Sequence, residues 1–136
     1  MLHDDKYFLK IAIEEGKKGN APYLFGAIVV KNGEIIAKDH NHVAERTDPT
    51  AHAENSALVL AAKKLGNQNL PGCTLYASHE PCMMCFSCAA WAEIDRIVFS
   101  TPASEQDSFM YEFKDVNIFD MAKILTRPMQ VECIEL

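Results

Sequence analysis

The chain has 136 residues, 49% of them hydrophobic and 24% charged, enough for one core and one domain over residues 1–136. Its formal net charge of −6 disfavours a partner held chiefly through phosphates, because nucleic-acid binding draws on a basic face. No apolar run reaches the ~20 residues of a membrane span. Asp4 and Asp5 stand where a secretory signal would be apolar, and five cysteines, an odd number, do not read as a disulfide framework, so a reducing cytoplasm is the expected setting.

Asp4 to about Glu15 places Phe8, Ile11 and Ala12 on one helix face, and Gly16 and Gly19 stop that helix. Phe25 to Lys31 is rich in β-formers, and Asn32-Gly33 predicts a type I′ hairpin that returns as Glu34 to Lys38. Asp48-Pro49 predicts a helix start, Asp48 capping and Pro49 in the first helical position. That helix runs to about Leu65 and buries Leu58, Ala61, Ala62 and Leu65 before Gly66 ends it. Cys73 to Ser78 is a strand, Pro81 to about Ala92 a helix, and Arg96 to Ser100 a strand. Residues 101 to 116 read as a loop or short helix over a site. Ile118 to about Leu125 reads as a helix and Met129 to Ile134 as a closing strand. The order αββαβαβαβ predicts an antiparallel first pair and parallel later strands, one α/β layered domain.

Two short motifs carry the chemistry. His52-Ala53-Glu54 sets an imidazole and a carboxylate two residues apart, and Pro81-Cys82-Met83-Met84-Cys85 sets two thiols on a Cys-x-x-Cys spacing. One His and two Cys suit a zinc ion with an open fourth position. Glu54 is then free to move protons rather than bind metal. The helix starts predicted at both motifs turn positive dipole ends toward one point, which favours thiolate at Cys82 and Cys85. Two other readings of the residues stand beside this one. A closed structural zinc site would take a fourth ligand from Cys88 or His79, and a lone Cys-x-x-Cys also serves redox chemistry. Cys73, Cys88 and Cys133 read as core thiols and Met83-Met84 as helix packing. His3, His40 and His42 read as solvent-exposed.

Together these residues resemble the cytidine deaminase-like superfamily, whose zinc enzymes carry His-x-Glu followed by Pro-Cys-x-x-Cys. The run from Asp48 to Glu54, the Glu80-Pro81-Cys82 start of the second motif, and Phe25-Gly26-Ala27-Ile28-Val29-Val30 before an Asn-Gly hairpin are similar to its guanine deaminase and bacterial tRNA adenosine deaminase branch. So is Asn41, between the second strand and the His-x-Glu helix. The resemblance spans about Phe8 to Ser100. It implies a three-layer α/β/α sandwich with a mixed five-stranded sheet, one zinc per subunit and a homodimer. It implies zinc ligation by His52, Cys82 and Cys85, and proton transfer by Glu54 during hydrolytic release of ammonia. Substrate contacts would come from Asn41, Phe25, His79 and the backbone N–H groups of Ala53 and Cys82. A turn-forming role for Asn41 and a core role for Phe25 are the plainer alternatives.

The chain departs from this branch at Leu24, where its members carry a proline, and Pro22 lies two residues earlier. His79 fills a variable position. Ser104 to Tyr111 is acidic and aromatic, and Asp107-Ser108-Phe109-x-Tyr111 is similar to the guanine deaminase version, which would set Asp107 beside the departing amine. The chain ends at Leu136, short of the segment that in guanine deaminases reaches a neighbouring subunit's site. The leading expectation is therefore a zinc-dependent deaminase of a free nucleobase or nucleoside in purine metabolism, guanine deaminase-like. Its alternatives are a tRNA-specific adenosine deaminase, with tRNA the less favoured partner, and a non-catalytic zinc-stabilised binding module.

Overall fold

The structure is a computed structural model that describes residues 3–106, 111–113 and 115–136. Helix α1 (Asp5–Gly16) starts where Asp4 accepts a hydrogen bond from the Tyr7 N–H at 2.9 Å, a side-chain cap on an otherwise unpaired donor. Strand β1 (Gly26–Lys31) turns through Asn32 and Gly33 into β2 (Glu34–His40). Both turn residues have positive φ, 52° and 77°, as a type I′ turn requires. Then follow α2 (Val43–Arg46), α3 (Ala53–Leu65), β3 (Cys73–His79), α4 (Met83–Trp91), β4 (Arg96–Thr101), a 3₁₀ turn (Ala103–Glu105), α5 (Ile118–Lys123) and β5 (Gln130–Cys133).

The five strands form one mixed sheet in the order β2-β1-β3-β4-β5. β1 is antiparallel to both β2 and β3, whereas β3, β4 and β5 are mutually parallel. Alternation along each strand splits the core in two. Ile28, Val30, Tyr76 and Val98 face Phe8, Leu9 and Ala12 of α1. Ala27, Val29, Leu75, Ala77, Ile97 and Phe99 face Ala57, Leu58 and Ala61 of α3, Phe86 and Ala89 of α4, and Ile118 of α5. This is the expected three-layer α/β/α sandwich. Burying one side chain of the size of Leu9 or Phe86 stabilises by about 1.5–3 kcal/mol, so both faces are anchored, and the fuller core lies under α3 and α4. No helix among the described residues is long and apolar enough to cross a membrane.

One close approach fixes the edge of the site. A Cβ on Gly26 would lie 2.0 Å from the Ala12 carbonyl oxygen and 2.4 Å from the Gly16 nitrogen, so backbone meets backbone where α1 ends and β1 begins. Asp5 ties the same helix to the far strands. Its carboxylate accepts two bonds from Arg96, which also reaches Glu132 on β5.

Several sequence expectations need correction. Asp48 and Pro49 do not open a helix; α3 begins at Ala53 with His52 at its N-cap. The Asp48 carboxylate instead accepts from the N–H and hydroxyl of Thr50, a local turn that competes with helix formation. The second long helix likewise starts at Met83, with Cys82 rather than Pro81 at its boundary. The short helix α2 has no counterpart in the sequence reading. Leu65 is exposed, unlike Leu58 and Ala61, because it sits in the last turn. His3 is exposed and His40 half-buried. His42 is buried, held between Asp39 (Oδ1 to Nε2, 2.5 Å) and Glu45 (Oε1 to Nδ1, 2.8 Å).

Candidate active site

Two helix N-termini converge at the C-terminal end of β3. His52 and Cys82 occupy the N-cap positions of α3 and α4 with extended backbone, φ −65°, ψ 159° and φ −70°, ψ 171°. An N-cap side chain ordinarily turns back onto its own helix. His52 does not, and its Nδ1 lies 3.5 Å from Cys82 Sγ, so the two cap side chains meet. Cys85, one turn into α4 and fully buried, completes the group. One donor atom from each of His52, Cys82 and Cys85 lies within 4.8 Å of the other two. A tetrahedral zinc with bonds of about 2.0–2.3 Å needs donors roughly 3.6 Å apart, so these three residues fit such an ion by donor type and by spacing. Neither Cys88 nor His79 belongs to the group, which leaves the three-donor arrangement of an open site rather than a closed four-ligand one.

The charges at this point follow from burial and proximity. A bond from the Cys85 thiol, then the His52 imidazole, pull the Cys82 thiol down to about 4 against the cost of its burial. The bond to Cys82 raises His52 despite desolvation. Cys85, alongside a thiolate and buried, is pushed well above the ordinary thiol range. Glu54 lies two residues past the cap, 6% exposed. Burial, then the neighbouring Cys82 thiolate, push its carboxyl up to about 7. A carboxyl poised near neutrality gives and takes protons with little driving force lost either way.

A cavity of about 1130 Å³ opens above these residues, large beside the 300–1,000 Å³ usual for small-molecule sites. His52, Glu54, Cys82, Phe25, Asn41 and His79 all line it. Asn41 makes the local turn that was the plainer expectation for it, and it also lines the cavity. Its Oδ1 accepts from the Val43 N–H at 2.8 Å and starts α2, while the residue still faces the cavity. Phe25 packs against His79 with ring centroids 4.3 Å apart and planes tilted by 46°. Ala53, the first residue of α3, is buried and does not line the cavity. Cys82 lines it and Leu24 does not. Asp107 lies outside the described residues.

Residues to which the sequence motifs assigned no substrate contact complete the walls. Tyr23 and Pro22 stand beside Phe25, and Met83 and Met84 face the cavity as well as packing α4. Tyr111 donates its hydroxyl to the Glu80 carbonyl at 2.8 Å, and Glu80 Oε1 accepts from the Ala103 N–H at 3.1 Å. Ala103 and Tyr111, both beyond the end of β4, are thereby tied to Glu80, just before Pro81-Cys82. On the other side the His42 N–H donates to the Ala51 carbonyl at 2.9 Å, and Asn55 Nδ2 donates to the Thr50 carbonyl at 2.8 Å. These bonds set Asn41 and His52 in one frame. The Glu80 bonds join residues more than twenty positions apart, and no local motif announces them.

Comparison with known proteins places this geometry among relatives. Residues 2–101 match the model of the cytidine and deoxycytidylate deaminase zinc-binding region. A tRNA-specific adenosine deaminase of Aquifex aeolicus is 48% identical over 99 residues, covering 70% of this chain and 64% of that protein, so the match spans less than two thirds of the relative. A guanine deaminase of Bacillus subtilis is 42% identical over 114 residues, 77% of this chain and 73% of that protein. A solved structure from work on A-to-I editing by tRNA:A34 deaminases superimposes with a TM-score of 0.79 at 27% identity, covering 94% of this chain and 91% of the other.

Proposed function

We propose, from the premise that this chain belongs to the cytidine and deoxycytidylate deaminase zinc-binding family, that residues 1–136 act as one domain that hydrolyses the exocyclic amino group of a purine, with adenosine in a tRNA loop as the first substrate to test. The observation that carries the deaminase reading is a three-donor His/Cys/Cys group beside a buried, unliganded Glu54 on one cavity wall. When bound, zinc supplies a water nucleophile at neutral pH. His52, Cys82 and Cys85 hold that ion. Glu54 takes one proton from the attacking water and gives it to the ring nitrogen, then carries the remaining hydroxyl proton to the amine, which leaves as ammonia as the C–N bond breaks and the carbonyl forms. Asn41 and Phe25 orient the ring, and Asp107 assists at the departing amine.

The acidic composition ranked a free base above tRNA. The relatives weigh the other way, since the 48% identical protein is a tRNA-specific adenosine deaminase. The second reading, a free base such as guanine, keeps one observation of its own. The cavity is bordered by Glu45, Glu80, Glu112 and Asp115 against Lys18 as its cation among the described residues, a poor surface for a phosphate backbone. The outer faces of α3 and α4 expose Val59, Leu60 and, at 85%, Trp91, which supports a homodimer through those helices. The free thiols support a reducing cytoplasmic setting.

The deciding experiment incubates the zinc-loaded chain with unmodified tRNA, with adenosine and with guanine. Inosine in the digested tRNA, without ammonia from the free compounds, is the expected result. Ammonia from guanine with unchanged tRNA establishes the second reading, and no product from any of them defeats both.

A further inference from the structure

His79 closes β3, opposite Thr101 of β4 in the parallel register, at the carboxyl end of the strands where α/β sheets receive ligands. Its ring lies against Phe25 in a tilted contact, with the two planes 46° apart. Its Nδ1 lies 2.7 Å from the Ser78 hydroxyl, and that hydroxyl already accepts from the Gly26 N–H at 3.0 Å. Ser78 is 2% exposed, and Nδ1 is the acceptor within reach of its hydroxyl proton. The economical assignment has Ser78 donating to Nδ1, which puts the ring proton on Nε2. Burial lowers the pKa of His79, so the ring stays neutral at pH 7. Asn41 is constrained in the same sense, because its carbonyl oxygen is taken by the Val43 N–H and its amide N–H groups remain. Two of the polar side chains on the cavity wall are thus prepared as donors.

We infer that His79 is a specificity-determining residue that donates its Nε2–H to an acceptor of the substrate base, a ring nitrogen or carbonyl oxygen, and so rejects a base that turns an amino group toward it. The inference rests on the aminopurine deamination proposed above. A donor left facing an amino group has no partner inside the cavity, which is a larger loss than the bond itself.

The test pairs variants with substrates that lack one acceptor. Wild type, His79→Ala and Ser78→Ala are assayed on tRNA transcripts carrying adenosine, 7-deazaadenosine or 3-deazaadenosine at the edited position, and on guanine, 7-deazaguanine and 3-deazaguanine. One deaza replacement should lower kcat/KM about tenfold in wild type and have no further effect in His79→Ala. If His79→Ala is as sensitive as wild type to every replacement, the inference is overturned and the deaminase reading stands. If wild type turns over none of the parent compounds, the deaminase reading fails and takes the inference with it. An independent readout is the ¹⁵N spectrum of labelled histidine in the zinc-loaded chain. His79 should show a protonated Nε2 and an unprotonated Nδ1, with the preference lost in Ser78→Ala; a proton on Nδ1 in wild type overturns the assignment whatever the kinetics.

Discussion

Cys85 and Cys82 make the metal site sensitive to proton activity. Without a metal, Cys82 carries the negative charge and Cys85 keeps its proton, held well above the ordinary thiol range by that neighbour and by burial. A divalent ion must displace the Cys85 proton, and the His52 proton that the Cys82 thiolate favours, to gain its donors. Zinc affinity should therefore climb with pH, as those two protons are more readily given up, read by competition with a chromogenic chelator; a flat profile would contradict the assigned proton positions. Cys88 is the internal control. It lies outside the donor group and its thiol is raised by burial alone, so Cys88→Ser should leave zinc content unchanged, whereas Cys85→Ser should lower it. Equal loss from both would bring back the closed four-ligand site.

At the scale of elements, the close passage of α1 over β1 has a sharp requirement. Gly26→Ala forces a methyl into the Ala12 carbonyl and should cost about 1–3 kcal/mol in urea unfolding, as overpacking does; no change in midpoint would show that the helix end can give way. Asp5 offers a test by pH. Its carboxyl is held below the usual range chiefly by the hydrogen bond from Arg96. A group depressed in the folded state stabilises the fold above its unfolded pKa, and that contribution is lost as pH falls through the folded value. The acid-side decline of the urea midpoint should thus be shallower in Asp5→Asn than in wild type. Element type was legible along most of the chain, because hydrophobic period and the Asn32-Gly33 pair are local signals. The start of α3 was not. Asp48-Pro49 carries every local mark of a helix start, yet the Asp48 carboxylate turns to Thr50, and His52 takes the cap position with its side chain turned away toward Cys82. Local capping signals were outweighed by the approach of a residue thirty positions away. His42 was misjudged for a different, local reason, since Asp39 and Glu45, each three residues away, hold its two ring nitrogens.

For the whole molecule, the metal residues and Glu54 were readable from two motifs, because coordination chemistry demands fixed residue types at fixed spacing. The walls of the cavity were readable only in part: Phe25, Asn41 and His79, named from the sequence, line it, whereas Tyr23, the Tyr111–Glu80 bond and the Ser78–His79 pairing arise from tertiary contacts. Substrate choice lies with these walls, and it shows in the salt response. A tRNA substrate should bind more weakly as salt rises, since phosphate contacts release counterions, whereas turnover of a free base should hardly change; salt-independent tRNA editing would contradict phosphate-guided binding. The central claim is that His52, Cys82 and Cys85 hold zinc while Glu54 carries protons for a hydrolytic deamination. It is tested most directly by zinc content and product release measured on the same preparations of wild type and Glu54→Gln. Both should hold about one zinc per chain, as a three-donor site with an open position does, and turnover should fall by about 10²–10⁴-fold in the variant. Full activity in Glu54→Gln, or loss of zinc along with activity, would contradict it.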